Sequence, residues 1–249
     1  MLEILAHRGN MHWYPENTLL SFAKALEAGS TMIETDLAMT ADEHIVLIHD
    51  RTVDRTTDGT GKVADLTLEE IKQLDAGSWK GAEFAGQRIP TLAEALDFVG
   101  NRARFVLEIK PKDMSDDDIR RLLHLTCAVL SEKGALDNVI FSSVEMRALQ
   151  LVLELQPGAK CLMIDYTTGL DLIRQCQDLG IYGWIAKYDT ATYERVGAAV
   201  EAGLFTLVSL RLNLGDLILD AVKWGVHGFG TDNPALLMDF FRERSIPAP

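Results

Sequence analysis

Positive charge is scarce in this chain of 249 residues, and the shortage limits what the chain can bind. The sequence has 24 lysines and arginines against 37 aspartates and glutamates, which gives a formal net charge of −13. Proteins that bind nucleic acid neutralise the phosphate backbone with clustered lysines and arginines, and the sequence has no such cluster. We therefore predict no nucleic-acid partner, and any anionic ligand has to be held by a few local cations.

Cysteines and long hydrophobic runs are scarce as well. The three cysteines, Cys127, Cys161 and Cys176, form an odd set without metal-site spacing, which argues against a disulfide framework or a zinc finger. No stretch reaches the roughly 18 apolar residues that a membrane helix requires. The opening residues, MLEILAHRG, contain no basic segment followed by an apolar run, as a secretory signal would. These features predict a cytoplasmic protein without stable membrane insertion.

What the sequence does contain is a regular alternation of short apolar strands and amphipathic helices. Eight such units follow one another once the returning arm of a hairpin is set aside, a count typical of a closed (β/α)8 TIM barrel. We predict this α/β barrel as one domain over 1–249. An open doubly wound sheet is the alternative, but no Gly-x-Gly-x-x-Gly follows an early strand. The polar stretch 51–88 predicts an insertion after the second strand, interpreted as a lid and anchored by Arg51 and Arg55.

The hairpin lies in the stretch from Met32 to Asp50. Its first arm carries Glu34 and Asp36 two positions apart, so both carboxylates leave the same face of a pleated strand. Only about seven residues separate the arms, fewer than a parallel crossover needs, so the second arm is predicted to be antiparallel. It ends at His49, and the fold-back is expected to bring this imidazole near the two carboxylates.

Polar residues follow nearly every predicted strand, and in a barrel the carboxyl ends of the strands carry the reactive groups. The pairs Glu34-x-Asp36 and Glu108-x-Lys110 have period two, so both members of each pair are expected to face the barrel axis. Three inward carboxylates repel one another unless a cation lies between them. Oxygen donors favour magnesium, calcium or manganese.

Several motifs, taken in order, resemble those of the glycerophosphodiester phosphodiesterase family over nearly the whole chain. They are His7-Arg8-Gly9, Pro15-Glu-Asn-Thr18, Glu34-x-Asp36, His49-Asp50, Arg55-Thr-Thr, Glu108-x-Lys110, Ser142-Ser143 and Thr231-Asp232-x-Pro234. The resemblance implies a barrel that hydrolyses glycerophosphodiesters to sn-glycerol 3-phosphate and an alcohol with a divalent metal. It implies that Glu34, Asp36 and Glu108 hold the metal and that His7 and His49 have acid/base roles.

The residue chemistry agrees with this function. A phosphodiester is anionic, and a metal on a non-bridging oxygen together with Arg8 and Lys110 is predicted to neutralise charge that develops in the reaction. His7 and His49 have a reference pKa of about 6.5 and can divide the proton transfers; which is acid and which is base stays open. So does the nucleophile, water or the neighbouring glycerol hydroxyl. If the histidines also ligate the ion, zinc or manganese suits the site better.

The pocket for the alcohol end of the substrate is less defined. The family often shows a Trp-Thr-Val-Asn run near the seventh strand, whereas this chain has Leu207-Val-Ser-Leu-Arg-Leu212, which leaves the head-group preference open. Six residues are predicted to line the pocket: Trp13, Tyr14, Ser143, Trp184, Lys187 and Arg211. Ser143 is predicted to contact phosphate or cap a helix, and Glu16-Asn17-Thr18 to shape a loop and helix start.

Two further functions compete with hydrolysis. A metal-dependent lyase or aldolase could use the same carboxylates to stabilise an enolate, and it would act on a carbonyl compound without releasing phosphate. A non-catalytic barrel that binds phosphorylated metabolites is the other, although two histidines at strand ends disfavour it. The sequence does not indicate an oligomeric state.

Overall fold

Parallel strands close into a barrel in the computed structural model, which describes residues 1–210 and 215–248. Within these residues the strands are β1 Glu3–Ala6, β2 Met32–Met39, β3 Ile45–Leu47, β4 Arg104–Glu108, β5 Val139–Ser143, β6 Cys161–Asp165, β7 Gly183–Lys187, β8 Phe205–Ser209 and β9 Gly228–Thr231. All except β3 run parallel, in the order β1-β9-β8-β7-β6-β5-β4-β2. Pairing of β1 with β2, where Leu5 lies opposite Met32, closes the ring, and the predicted (β/α)8 barrel is confirmed.

Helices connect the strands and cover the outside of the barrel. In the described ranges they are α1 Leu19–Glu27, α2 Leu68–Gln73, α3 Leu92–Val99, α4 Asp116–Glu132, α5 Met146–Leu155, α6 Asp171–Asp178, α7 Tyr193–Glu201, α8 Gly215–Lys223 and α9 Pro234–Glu243. Capping boxes begin α2 at Thr67, α3 at Thr91 and α4 at Ser115, so these sequences define their own helix starts. In the part of the chain that the structure describes, no helix has the length and hydropathy to cross a membrane.

Side chains alternate between the barrel interior and the helices, as the pleat of a strand requires. One apolar layer fills the interior, and it is made by Leu5, Met32, Val106, Ile140, Leu162, Ile185 and Leu207. The next inward position on each strand lies two residues further along, toward the carboxyl end. A second inward layer therefore lies on the carboxyl side of this apolar layer. Its side chains are those of His7, Glu34, Glu108, Ser142, Lys187 and Ser209.

The hairpin arm β3 pairs with β2 in the antiparallel sense, with Leu37 opposite Leu47. This confirms the predicted antiparallel excursion. The amide of Ile48 donates to the carbonyl of Asp36 (3.1 Å), so pairing continues to the residue before His49. The fold-back is what returns His49 to the end of the barrel where Asp36 lies.

The insertion 51–88 packs on the far side of β3 through its own apolar cluster, formed by Val46, Ile48, Val53, Val63, Ile71, Ala76 and Ile89. It also reaches the loops at the carboxyl end of the barrel. Lys80 Nζ donates to the carbonyl of Met11 (2.9 Å), and the ring of Phe84 packs edge-on against Tyr14. The insertion thus forms a wall beside the strand ends, while its action as a lid stays a prediction.

Candidate active site

Three carboxylates meet at the carboxyl end of β2 and β4. The two strands are in register there, with Asp36 opposite Glu108. Glu34 lies two residues before Asp36 and on the same face of β2. One oxygen from each of Glu34, Asp36 and Glu108 lies within 4.8 Å of the others. The side chain of Asp36 is fully buried, and those of Glu34 and Glu108 are 6% and 12% exposed. Such a cluster is costly unless positive charge offsets it.

Two cations supply part of that charge. Lys110 Nζ lies 2.6 Å from Asp36 Oδ1 and 3.9 Å from Glu108 Oε2. Arg8 donates its backbone N–H to Glu34 Oε2 (2.9 Å), and its Nε lies 3.5 Å from Asp36 Oδ2. The Asn17 amide also donates to Asp36 Oδ2 (2.7 Å). The carboxylates are therefore held by groups that fix their orientation.

The turn after β1 owes its shape to the sequence Arg8-Gly9. Both residues have positive φ, 51° and 80°, a conformation that glycine adopts without steric cost. A Cβ on Gly9 would lie only 2.1 Å from Ser21 Oγ and 2.7 Å from the Ser21 backbone. Glycine thus allows the turn to pack against α1 while the backbone N–H of Arg8 points at Glu34.

Charge and burial separate the acidities of the three carboxylates. Burial alone would raise the pKa of Asp36, but Lys110 and Arg8 outweigh it and hold that pKa at about 2. Burial raises the pKa of Glu108 to about 8 against the opposing charge of Lys110. Burial, together with the negative charge of Asp36, also raises the pKa of Glu34. Before a cation binds, Glu108 holds a proton at neutral pH.

Each of the two histidines is oriented by a carboxylate of its own. His7 Nδ1 lies 2.7 Å from Asp232 Oδ1, and His49 Nδ1 lies 2.6 Å from Asp50 Oδ1. An ionised carboxylate only accepts hydrogen bonds, so Nδ1 carries the proton in both rings and Nε2 is the basic nitrogen of the neutral form. For His7 this Nε2 lies 3.8 Å from Glu34 Oε2.

The two imidazoles differ in basicity. Burial acts to lower the pKa of His7, but the hydrogen bond to Asp232 and the charge of Glu34 outweigh it and raise that pKa. Burial lowers the pKa of His49, although the nearby Asp36 and Asp50 oppose the shift. At neutral pH and without a cation, His7 is therefore the more readily protonated ring.

The acidic cluster fits a divalent cation. Within the described residues, the buried oxygens Glu34 Oε1 and Asp36 Oδ1 accept no hydrogen bond, although Asp36 Oδ1 has an ion pair with Lys110 at 2.6 Å. Three carboxylate oxygens from rigid strands are ligands that hard ions prefer. Lys110 neutralises only part of the negative charge of these carboxylates, so the cluster suits one such ion.

The predicted residues of the alcohol pocket do not all lie together. Trp13 stands on the rim, 59% exposed, and Tyr14 packs against the insertion at Phe84. Lys187 faces the axis at the end of β7, where its Nζ lies over the rings of Tyr166 and Tyr188 at 5.9 and 5.5 Å and 3.0 Å from Asp189. Arg211 lies outside the described residues.

Two pocket predictions are wrong. Trp184 is fully buried in the layer between strands and helices, where its Nε1 donates to Asp165 (2.9 Å) and the Arg195 guanidinium stacks on its ring. Ser143 is also fully buried, and its hydroxyl donates to the carbonyl of Ile109 (2.9 Å) and accepts from the Glu145 amide (3.2 Å). Both occupy outward positions of their strands, so neither reaches the barrel axis.

Sequence reasoning missed supporting residues of the site. Glu16-Asn17-Thr18 is predicted to shape a loop and helix start; Thr18 caps the helix by accepting from the Ser21 amide, and the Asn17 backbone N–H donates to the carbonyl of Arg8 in the loop (3.1 Å). The side chains of Asn17 and Glu16 also bind the site, since Asn17 donates to Asp36 and Glu16 accepts from Arg8 Nη1 (2.8 Å). A signal was present, because Glu16 and Asn17 follow His7-Arg8 within one loop, but no periodicity shows which way a loop side chain points.

A TIM barrel that presents three carboxylates, two cations and two oriented imidazoles at one end has the groups that phosphodiester hydrolysis requires. Comparison with known proteins identifies the class more closely. Residues 7–236 match the model of the glycerophosphoryl diester phosphodiesterase family. The chain is also 36% identical over 242 residues to a glycerophosphodiester phosphodiesterase of Caldanaerobacter subterraneus subsp. tengcongensis, covering 96% of this chain and 98% of that protein.

Solved structures agree. A phosphodiesterase of Oleispira antarctica, in complex with the product sn-glycerol-3-phosphate, superposes with a TM-score of 0.87 at 28% identity, covering 96% of each chain. A glycerophosphodiester phosphodiesterase of Agrobacterium tumefaciens gives a TM-score of 0.81 at 26% identity, covering 96% of this chain and 100% of that one. The chain belongs to the glycerophosphoryl diester phosphodiesterase family. The prediction of a phosphoric diester hydrolase is confirmed, and the lyase and the non-catalytic barrel are set aside.

Proposed function

We propose that this site uses one divalent cation and two histidines to hydrolyse glycerophosphodiesters to sn-glycerol 3-phosphate and an alcohol. One observation carries the proposal. Two imidazoles, each oriented by a carboxylate through Nδ1, border a buried cluster of three further carboxylates. The product bound to the Oleispira antarctica protein is sn-glycerol-3-phosphate, which supports a glycerophosphodiester as the small-molecule substrate here.

Glu34, Asp36 and Glu108 would hold the cation. The bound ion supplies Lewis-acid charge that lowers the energy of the dianionic transition state. An all-oxygen donor set favours Mg²⁺ or Ca²⁺, while Mn²⁺ or Zn²⁺ would be favoured if an imidazole joined the ligands. Metal analysis of the purified protein distinguishes these cases.

Arg8 and Lys110 hold the phosphate in this proposal. Both lie against the acidic cluster, 12% and 25% exposed, so they present positive charge at a partly dry surface where it is effective. The Arg8 guanidinium is fixed by Glu16 and can grip two phosphate oxygens. Lys110 acts as a point charge close to Asp36.

His7 and His49 take different proton roles. His7 has the raised pKa and is the better candidate to enter the reaction protonated and donate to the leaving alkoxide. His49 has the lowered pKa, so its Nε2 is free to accept the proton of the attacking oxygen. In both rings the carboxylate at Nδ1 stabilises the imidazolium that forms.

Lys187 and the exposed Trp13 are proposed to meet the alcohol end of the substrate. The ammonium of Lys187 already covers the aromatic faces of Tyr166 and Tyr188. Those faces are what a quaternary ammonium group would bind. We therefore expect polyol or carboxylate head groups to be better substrates than choline.

The test is a panel of glycerophosphodiesters assayed for glycerol 3-phosphate release with and without chelator. Activity should disappear with chelator and return with added Mg²⁺, Ca²⁺ or Mn²⁺. Glu34→Gln and Glu108→Gln should abolish it, while Glu154→Gln, at an exposed ion pair between α4 and α5, serves as the matched control. Full activity in either site variant would overturn the assignment.

The nature of the nucleophile is read from phosphorus NMR during turnover. A transient cyclic phosphodiester would show attack by the neighbouring glycerol hydroxyl. Direct appearance of glycerol 3-phosphate under single-turnover sampling would show attack by water.

A further inference from the structure

Arg55, a residue of the insertion, binds two carboxylates of the barrel at once. Its Nε and Nη2 donate to Asp50 at 2.6 and 3.2 Å. Its Nη1 and Nη2 donate to Glu16, both at 2.8 Å. A guanidinium bound in this forked way fixes the planes of its partner carboxylates. Asp50 and Glu16 are therefore held relative to each other by one side chain.

Each of these carboxylates in turn holds a group of the site. Asp50 Oδ1 accepts from His49 Nδ1 (2.6 Å), and Glu16 Oε1 accepts from Arg8 Nη1 (2.8 Å). The chain of contacts thus runs from His49 through Asp50, Arg55 and Glu16 to Arg8. It connects the imidazole on one side of the acidic cluster to the phosphate-binding guanidinium next to it.

Anchoring of the insertion does not explain this geometry. The insertion is already fixed by its apolar cluster and by Lys80 on the carbonyl of Met11. Glu16, 4% exposed in its side chain, receives two guanidinium groups, whereas Arg51 in the same segment makes a single exposed contact with Asp113 at 3.3 Å. The contacts of Arg55 are those expected of a residue that holds Asp50 and Glu16 in place for His49 and Arg8.

We propose that Arg55 is a positioning residue for the hydrolysis: through Asp50 it fixes the ring of His49, and through Glu16 it fixes the guanidinium of Arg8. This inference rests on the roles proposed above for His49 and Arg8. Arg55 itself touches no reacting atom. Loss of such a support costs about 10-fold to 100-fold in activity in comparable sites.

The kinetic test compares Arg55→Ala and Arg55→Lys with Arg51→Ala as the matched control. Arg55→Ala should lower kcat by about 10-fold to 100-fold. Arg55→Lys should recover little of that loss. An ammonium keeps the positive charge but cannot donate paired N–H groups to each of two carboxylates. Thermal unfolding of Arg55→Lys and Arg51→Ala should stay close to that of the parent, whereas Arg55→Ala leaves the nearly buried Glu16 with one guanidinium partner fewer and should unfold at a lower temperature. If both Arg55 variants keep kcat within twofold of Arg51→Ala, the proposal is overturned.

A second readout does not depend on activity. Imidazole ¹⁵N NMR of the parent should show His49 with the proton on Nδ1 and a bare Nε2. In the Arg55 variants the His49 signals should move toward a mixture of tautomers, while His7, oriented by Asp232 and not by Arg55, stays unchanged. An unaltered His49 tautomer in Arg55→Lys, the milder variant, overturns the proposal even if Arg55→Ala does not fold. A parent protein that hydrolyses no glycerophosphodiester would refute the proposed function and leave this spectroscopic result standing.

Discussion

Cation binding at the acidic cluster should release protons, because Glu108 is protonated at neutral pH before the ion arrives. Burial raises the pKa of Glu108 to about 8, and a carboxyl group must lose its proton to become a ligand. A group with that pKa is about 90% protonated at pH 7 and about 10% at pH 9. Each cation bound should thus displace about 0.9 proton at pH 7 and about 0.1 at pH 9 from this residue, with a further contribution from Glu34.

The assay is isothermal titration calorimetry of the chelator-treated protein with Mg²⁺ or Mn²⁺. Titration in buffers of different ionisation enthalpy separates proton release from the heat of binding. Below pH 8 the apparent affinity should fall about 10-fold for each pH unit if one proton is displaced. Glu108→Gln should remove most of the release, and Glu154→Gln should not change it. Equal proton release at pH 7 and pH 9 in the parent protein would refute the reasoning.

The same titration affects stability. For Glu108 the ordinary pKa is 4.5 and the folded-state pKa is about 8, so the native state binds the proton more tightly than the unfolded state. The stabilisation is fully present below about pH 4.5 and is lost as pH rises toward 8. In the metal-free protein the free energy of unfolding should therefore decline over this range, and a bound cation should reverse the decline.

Three further predictions test other parts of the molecule. Asp165→Ala leaves the buried Arg195 without its carboxylate, which should cost about 3–5 kcal/mol and lower Tm by about 10 °C in calorimetry; an unchanged Tm would contradict this. Lys187→Met should shift kcat/KM by about 10-fold from carboxylate or polyol head groups toward glycerophosphocholine, and an unaltered ratio would remove Lys187 from the pocket. In the metal-free protein, NMR titration should give a pKa above 6.5 for His7 and below 6.5 for His49; the reverse order would exchange their proposed roles.

Strand residues of the site could be predicted from the sequence because a strand has a fixed period. Glu34 and Asp36 share a face whatever surrounds them, and so do Glu108 and Lys110. The count of strand–helix units then indicated a closed barrel, which brings these strand ends to one place. The structure places all four within one cluster.

The errors and omissions concern the direction in which a side chain points. Trp184 belongs to the same strand as Lys187, but it lies near the amino end, occupies the opposite parity and packs among the helices. Ile185 points inward, but the consecutive apolar residues Trp184, Ile185 and Ala186 hide this parity in the sequence, because both faces of a barrel strand are buried. Glu16 and Arg55 lie in loops, where no period applies, and their contact joins segments 39 residues apart. Such a pairing is a tertiary property that local patterns do not encode.

Closure of the barrel has a consequence for the order in which this enzyme matures. The three carboxylates all come from the first 108 residues, whereas the partner of His7 is Asp232, 225 positions away, reached only when β9 pairs with β1. A partly folded intermediate with β1, β2 and β4 in place would already offer the oxygens for an ion while lacking the group that orients His7. Ion affinity should therefore develop before turnover during refolding. The appearance of turnover would then indicate that β1 and β9 have paired.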